Sequence, residues 1–489
     1  MDSAVPVNRR IVLKRAGALA VAFGALEAVG SFSFAPERVG ASIVPSDIQF
    51  DISDFLAVPP QNYGTDVQFQ LPPVHTVFLT AALERTPTRA DQAEMNRALG
   101  VLEQHYPWGA THLVTFVAYG LPYFGRLPRS LVARHVPRLA SDAGRPVLEE
   151  ARPGPTDVSP ANPGISKFRY NVNVRIERND LLFTLRGDDP GTLSDVLAWF
   201  AGSGRLRGRA VASPAWDGLI RFTSSRHMFV QMGLPKAVAK QHHLPYAQFL
   251  APRSPMWMGF ADQQVNGAGP GPICTFAGTP AARLTTAARG DYFDNGSIQH
   301  LSHVILDMLQ FFDMDNEEEP PGADGIYTER VQYMFHAPSI AAGHKDPYAD
   351  GGGPALLPNE NRGPHYAERT AQGIGTAGRK RRMGHLSCLQ RTSRAADGTP
   401  LHIRMDGPGF DAMDVPGGSN LPKLQFTIFV PTAGFFRTLR TSQASLDLQE
   451  KYGVAVEDNG LERFLTATRR QNFLVPPRRH RAFPLTELA

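Results

Sequence analysis

The sequence predicts an α+β protein of two ferredoxin-like halves, each with an antiparallel sheet. Three observations lead there. Strand-like and helix-like segments alternate as β-α-β, β-α-β between residues 74 and 222. A similar order returns between residues 290 and 477. The 489 residues exceed one ordinary core, so two domains or one large duplicated one is the expectation.

The elements follow in order. Residues 74–80 form a strand-like apolar run. Met95, Leu99 and Leu102 sit at helical spacing within 89–103. A second strand is predicted over 110–119, and a Pro, Gly and Ser-rich loop over 144–166. Residues 180–186 form the third strand. A helix then runs from Pro190, suited to a first turn, to Phe200. Strand-like pieces over 210–222 close the first half.

In the second half 297–304 is read as a strand. A short helix carrying Met308 and Phe312 follows it. Residues 337–382 are a long polar, Gly-rich segment, of a length that is usually functional or mobile. The clearest strand is 424–430. A helix over 434–449 with Leu439 and Leu446 inward follows, then a short helix at 461–465 and a closing segment at 472–477. The expected division is a signal at 1–41, an arm at 42–70, and domains at 71–265 and 266–489.

At the N-terminus Arg9-Arg10 precedes a mildly apolar, Ala/Gly-rich run from Ala16 to Gly30. Paired arginines before such a run mark a twin-arginine export signal. The run is interrupted by Glu27 and is too weak for a membrane span. Cleavage is expected between Gly30 and Ala41. The destination is extracellular, or the periplasm or cell envelope. This route carries folded proteins, which suits one that receives its cofactor beforehand.

Net charge is +4, concentrated in short runs at 379–382, Arg469-Arg470 and Arg478-Arg479. These read as solvated loops, and no aromatics are interleaved with them for base stacking. Nucleic acid is therefore not an expected partner. Cys274 and Cys388 show no CxxC spacing, which excludes a zinc ribbon or dithiol motif. One disulfide stays open as an option. His336, His344 and His365 are 8 and 21 positions apart, which fits no common metal pattern. There is no Gly-x-Ser-x-Gly, and no Gly-x-Gly-x-x-Gly follows a strand.

Five local segments resemble the dye-decolorising peroxidase family. Trp257-Met258-Gly259-Phe260-Ala261-Asp262 resembles its Gly-Phe-x-Asp-Gly, and Asn295-Gly296-Ser297-Ile298 its Gly-Ser-Tyr strand opening. Gly384-His385 resembles the segment bearing the proximal ligand. Ile403-Arg404-Met405-Asp406-Gly407-Pro408 resembles the segment bearing the distal arginine. The run from Asn472 to Pro477 resembles the terminal Phe-Phe-x-Pro-Ser. Order and spacing agree over about residues 74–477. Two departures stand out: Gln263 replaces a glycine, and Asn-Pro-Arg is missing after His385.

The resemblance implies two ferredoxin-like domains of the dimeric α+β barrel kind, with heme b held in the second. His385 would be the iron ligand, with Asp458 or Glu462 as its orienting carboxylate. Asp262 would be the acid–base group and Arg404 the fixed distal cation. Hydrogen peroxide and a small organic reductant, dye-like or phenolic, would be the partners. The alternative is an exported haem-binding protein without turnover. Oligomeric state is left open.

Overall fold

The computed structural model describes residues 9–38, 45–52, 61–62, 68–69, 71–153, 164–165, 167–250, 252, 254–258, 271–278, 284–312, 314, 388, 391–392, 401–456, 459 and 461–489. The expected loop at 337–382, the histidines at 336, 344 and 365, and the basic run at 379–382 lie outside them.

The chain begins with helix α1, Arg9–Gly30. The first half then comprises β1 (His75–Leu83), α2 (Arg89–His105), β2 (Val114–Gly120), β3 (Leu181–Gly187), α3 (Pro190–Phe200) and β4 (Ile220–Phe229). The second comprises β5 (Ser297–Leu306), β6 (Ile403–Arg404), β7 (Gly407–Asp411), β8 (Leu421–Val430), α4 (Gly434–Ala444), α5 (Leu446–Tyr452) and β9 (Leu465–Val475).

Local sequence accounts for the helix starts. Thr88 caps α2 in a reciprocal capping box with Asp91. Asp189 accepts from the amides of Gly191 and Thr192 at 2.9 and 3.0 Å, and Pro190 holds the first turn of α3.

The strand order explains the architecture. In the first half it is β2-β3-β1-β4; in the second it is β6/β7-β8-β5-β9. Numbered within each half, both read 2-3-1-4, and these pairings are antiparallel. This is the ferredoxin-like arrangement made twice. The halves join where β9 pairs with β2, Phe473 opposite Gly120 and Leu474 opposite Tyr119.

The free edges, β4 and β7, come back to face each other. A Cβ added at Gly407 would lie 2.6 Å from Val230 Cγ2, and one at Gly409 would lie 3.0 Å from the His227 carbonyl oxygen. Only glycine lets β7 approach β4 so closely. Phe78, Phe116, Leu182, Leu301, Phe429 and Phe473 fill the space this closure encloses, drawn from both halves.

Several expectations need correction. The main fourth strand is 220–229 and overlaps the expected 210–222 only at its start; before it come two-residue strands at Arg205–Leu206 and Arg209–Ala210. Its Ser224, Ser225, Arg226 and His227 are buried, so polarity hid a strand. The helix expected over 434–449 breaks at Ser445, whose φ is +48°. Asn472 to Val475 continues β9 instead of standing apart. Residues 478–489 return to the first half, where the Tyr119 and Tyr123 hydroxyls donate to the carbonyls of Arg481 and Pro484 at 2.7 and 2.6 Å.

The two described basic runs, Arg469-Arg470 and Arg478-Arg479, are not solvated loops. Arg470 is fully buried, Arg469 pairs with Asp414, and Arg478 lies over the Trp108 ring at 4.6 Å. Cys274 and Cys388 are both buried free thiols.

The N-terminal run also packs inside. Leu19, Ala22 and Leu26 of α1 enter the main hydrophobic core, and Val29 enters a second. Arg38 makes a buried two-point pair with Asp188 at 2.6 and 2.7 Å. No described helix is long and apolar enough to cross a membrane.

Candidate functional site

On the outer face of the second half, α4 stands off the sheet and leaves a pocket that opens to solvent. Its floor is β5, β8 and β9, whose Val304, Leu306, Phe426, Leu465 and Ala467 face outward. Phe436 and Leu439 of α4 form the roof, and Trp257 and Met258 one wall. The Trp257 indole donates to the Gly409 carbonyl at 3.0 Å, fixing that wall to β7.

The walls are apolar, yet the charges are one-sided. Lys167, Arg404, Lys423, Arg440 and Arg470 line the pocket with one acid, Asp406, although Lys423 is paired with Asp411 beneath the floor and Arg440 with Glu462. An apolar slot with converging cations suits a flat apolar molecule carrying carboxylates.

Arg404 lies on β6, opposite Ile428 of β8, at the pocket's edge. Glu462, just before β9, is buried and held by Arg440 at 2.5 and 2.8 Å and by Gln443 at 2.7 Å. It therefore braces Arg440 and Gln443, which line the pocket from α4. Asp262, His385 and Asp458 lie outside the described residues. Met258, four positions before Asp262 (262 − 258), lines the pocket. Cys388, three after His385 (388 − 385), is buried with its Sγ 3.6 Å from the Leu439 carbonyl of α4.

A buried polar cluster underlies the floor at the β4–β7 seam. His303 Nε2 is 3.2 Å from Asp411 Oδ1, and its Nδ1 is 2.8 Å from Thr468 Oγ1. The Lys423 ammonium lies 3.6 Å from Asp411 and donates to the Met413 carbonyl at 2.9 Å. Burial pushes the Lys423 amine down to about 8, against the pull of Asp411 and Asp414. Burial also holds His303 below the ordinary histidine value, despite Asp411. For Asp411 burial acts upward, but His303 and Lys423 outweigh it and keep the carboxyl low. Among the described residues no cluster of three or more His, Cys, Asp or Glu is placed to hold a metal ion.

Sequence reasoning found Arg404 but missed Lys423, Arg440 and Arg470. The first two are single basic residues in ordinary strand and helix patterns. Arg470 was hidden in a pair read as surface. Alternation puts Arg470 on the face of Asn472, but a bulge in β9 beside His303 and Val304 breaks the pattern towards Leu465, so the strand period alone does not reveal it.

Fold and pocket together define a duplicated α+β protein with an apolar-walled pocket that carries basic residues in its lining. The chain belongs to DUF7405, a family of unknown function, whose model matches residues 155–477. No curated protein matches the chain. Among solved structures, it is similar to a dye-decolorizing peroxidase from Bacteroides thetaiotaomicron, at 15% identity and TM-score 0.41, over 86% of this chain and 96% of that one. It is similar to an encapsulated DyP-type peroxidase from Mycobacterium smegmatis, at 15% identity and TM-score 0.42, over 86% and 96%. It is also similar to a DyP-type peroxidase from Cellulomonas bogoriensis, at 14% identity and TM-score 0.42, over 89% and 96%.

Proposed function

We propose that the protein is a haem-dependent peroxidase that reduces hydrogen peroxide and oxidises organic, dye-like or phenolic donors. The observation that carries this is the pocket: apolar floor and roof, with five basic residues in its lining, Arg404 among them at the rim. These walls fit haem, whose ring is apolar and whose propionates need cations. The described lining offers no histidine or cysteine as an axial ligand. His385 is proposed for that role, since Cys388 three residues on is buried against α4. Heme b, when bound, would supply the redox chemistry at the peroxide O–O bond.

The chain's own residues would do the rest. Asp262 would take a proton from one peroxide oxygen and return it to the other. Arg404, charged at any working pH, would stabilise the negative charge on the departing oxygen. Asp458 or Glu462 would orient the histidine; Glu462 already serves Arg440 and Gln443, so it could act only by sharing. Export by the twin-arginine route to the envelope or beyond is part of the same proposal and rests on Arg9-Arg10 alone.

The test is absorption spectroscopy of protein prepared with haem supplied. A Soret band is expected, weakened or displaced in His385→Ala. Rapid mixing of the loaded protein with peroxide should be slowed about 10²–10³-fold in Arg404→Leu. Absence of the Soret band overturns the haem reading. A Soret band without reaction with peroxide leaves haem binding without turnover, in line with Gln263 standing where dye-decolorising peroxidases have glycine.

A further inference from the structure

The pocket floor carries a second arrangement, which the peroxidase reading does not use. His300 and Ser302 are two apart on β5 and so share one face. Their direct partners across the β5–β9 ladder are Asn472 and Arg470. The four side chains therefore form a square on the sheet. Ser302 and Arg470 line the pocket, and His300 is buried beside them.

The hydrogen bonds in this square have a fixed direction. The Asn472 amide nitrogen donates to the Glu149 carbonyl at 2.9 Å. That orients the amide, so Asn472 Oδ1 faces His300 Nδ1 at 2.6 Å. An amide oxygen only accepts, so Nδ1 carries the proton. His300 Nε2 is then a bare lone pair, 2.6 Å from Ser302 Oγ, and accepts the hydroxyl proton. The imidazole is locked face to face with Phe436 at 3.4 Å between ring centres. The Arg470 guanidinium lies over the same Phe436 ring at 5.0 Å.

A hydroxyl bonded to a base that a third group orients is the signature of an activated nucleophile. We infer that Ser302, His300 and Asn472 form an acyl-transfer site for carboxylic esters with an apolar acyl chain. The acyl chain would lie against Val304, Phe426 and Leu465. Ser302 Oγ bonds to the ester carbonyl carbon as its proton passes to His300 Nε2. The oxyanion forms beside Arg470. As the ester C–O bond breaks, His300 returns the proton to the leaving alcohol. Water then repeats the path in reverse, releasing the acid and restoring Ser302, with no oxidant or reductant. Asn472 is a positioning residue: it sets the tautomer. No sequence motif signals this site, because two strands supply its parts.

The test is labelling with a fluorophosphonate probe, on protein prepared without haem so that the outcome is independent of haem binding. Peptide mass spectrometry should place the phosphonyl group on Ser302, and Ser302→Ala should abolish it. His300→Gln should slow labelling about 10²-fold or more. Asn472→Asp should speed it, because a carboxylate stabilises the imidazolium better than an amide. Circular dichroism confirms that each variant is folded. No label on Ser302, or labelling at the wild-type rate in folded His300→Gln, overturns the site. Should His300→Gln not fold, Asn472→Asp decides: labelling no faster than wild type overturns it.

Discussion

The two halves repeat one strand permutation but cover it differently. On the first, α2 and α3 lie flat. Met95, Leu99 and Leu102 of α2, with Leu193, Val196 and Leu197 of α3, seal the outer face against Val77, Leu79 and Phe183. On the second, α4 brings Phe436 and Leu439 but also Arg440, and the space beneath stays open. A face that both helices seal is scaffold. The pocket arises where the same architecture is left incompletely packed.

Equivalent third strands make the sharpest test. Phe183 on β3 and Phe426 on β8 both point outward. Phe183 meets Phe200 and Trp216, each at 5.5 Å between ring centres. Phe426 faces the pocket and is only half-buried. Phe183→Ala should cost about 3–5 kcal/mol in urea unfolding, through lost transfer energy and the cavity left behind. Phe426→Ala should cost at least about 1 kcal/mol less, since one side already lacks partner atoms. Equal losses would mean that the second half is as closely packed as the first.

A buried base in each half gives a separate pH test. In the first, burial brings His75 down to about 4 from an ordinary 6.5, against a weaker upward pull from Asp189. The unfolded chain then binds the extra proton between those values. Stability should fall as pH drops from 6.5 towards 4, by at most about 3 kcal/mol. In the second, Lys423 sits at about 8 instead of 10.5. There stability should rise as pH climbs from 8 to 10.5, by a similar maximum of about 3 kcal/mol. Urea midpoints against pH should show a shallower acid arm in His75→Gln, with a remainder carried by the buried His227 and His303, and a smaller alkaline rise in Lys423→Met. A change confined to the wrong arm in either variant would break the assignment.

Much of this division was legible in the sequence, for physical reasons. The helix over Arg89–His105 showed its spacing, and Pro190 marked a helix start, because one face of each is apolar and the other wet. The strand over Ile220–Phe229 was misplaced because its buried positions are polar: His227 bonds His75 at 3.0 Å, and Arg226 pairs with Glu177. Pairing partners far along the chain satisfy such groups, and composition does not show them. Within the site, Arg404 was found through a local segment, whereas Arg470 and the His300–Ser302 pair gain meaning only when β5 and β9 are side by side. The break at Ser445 depends on one left-handed residue that no local pattern signals.

The smallest expected difference between the halves lies at the helix starts. Asp189 caps α3 with two amide hydrogen bonds, while Ala433 offers α4 no side-chain cap. Asp189→Ala should therefore cost about 1 kcal/mol. His75 sharpens this test, because Asp189 also draws its imidazole upward. Removing that carboxylate should lower His75 further and widen the acid arm at its low end. Loss of stability with an unchanged arm would confine Asp189 to capping; a widened arm without loss of stability would leave it only the charge effect.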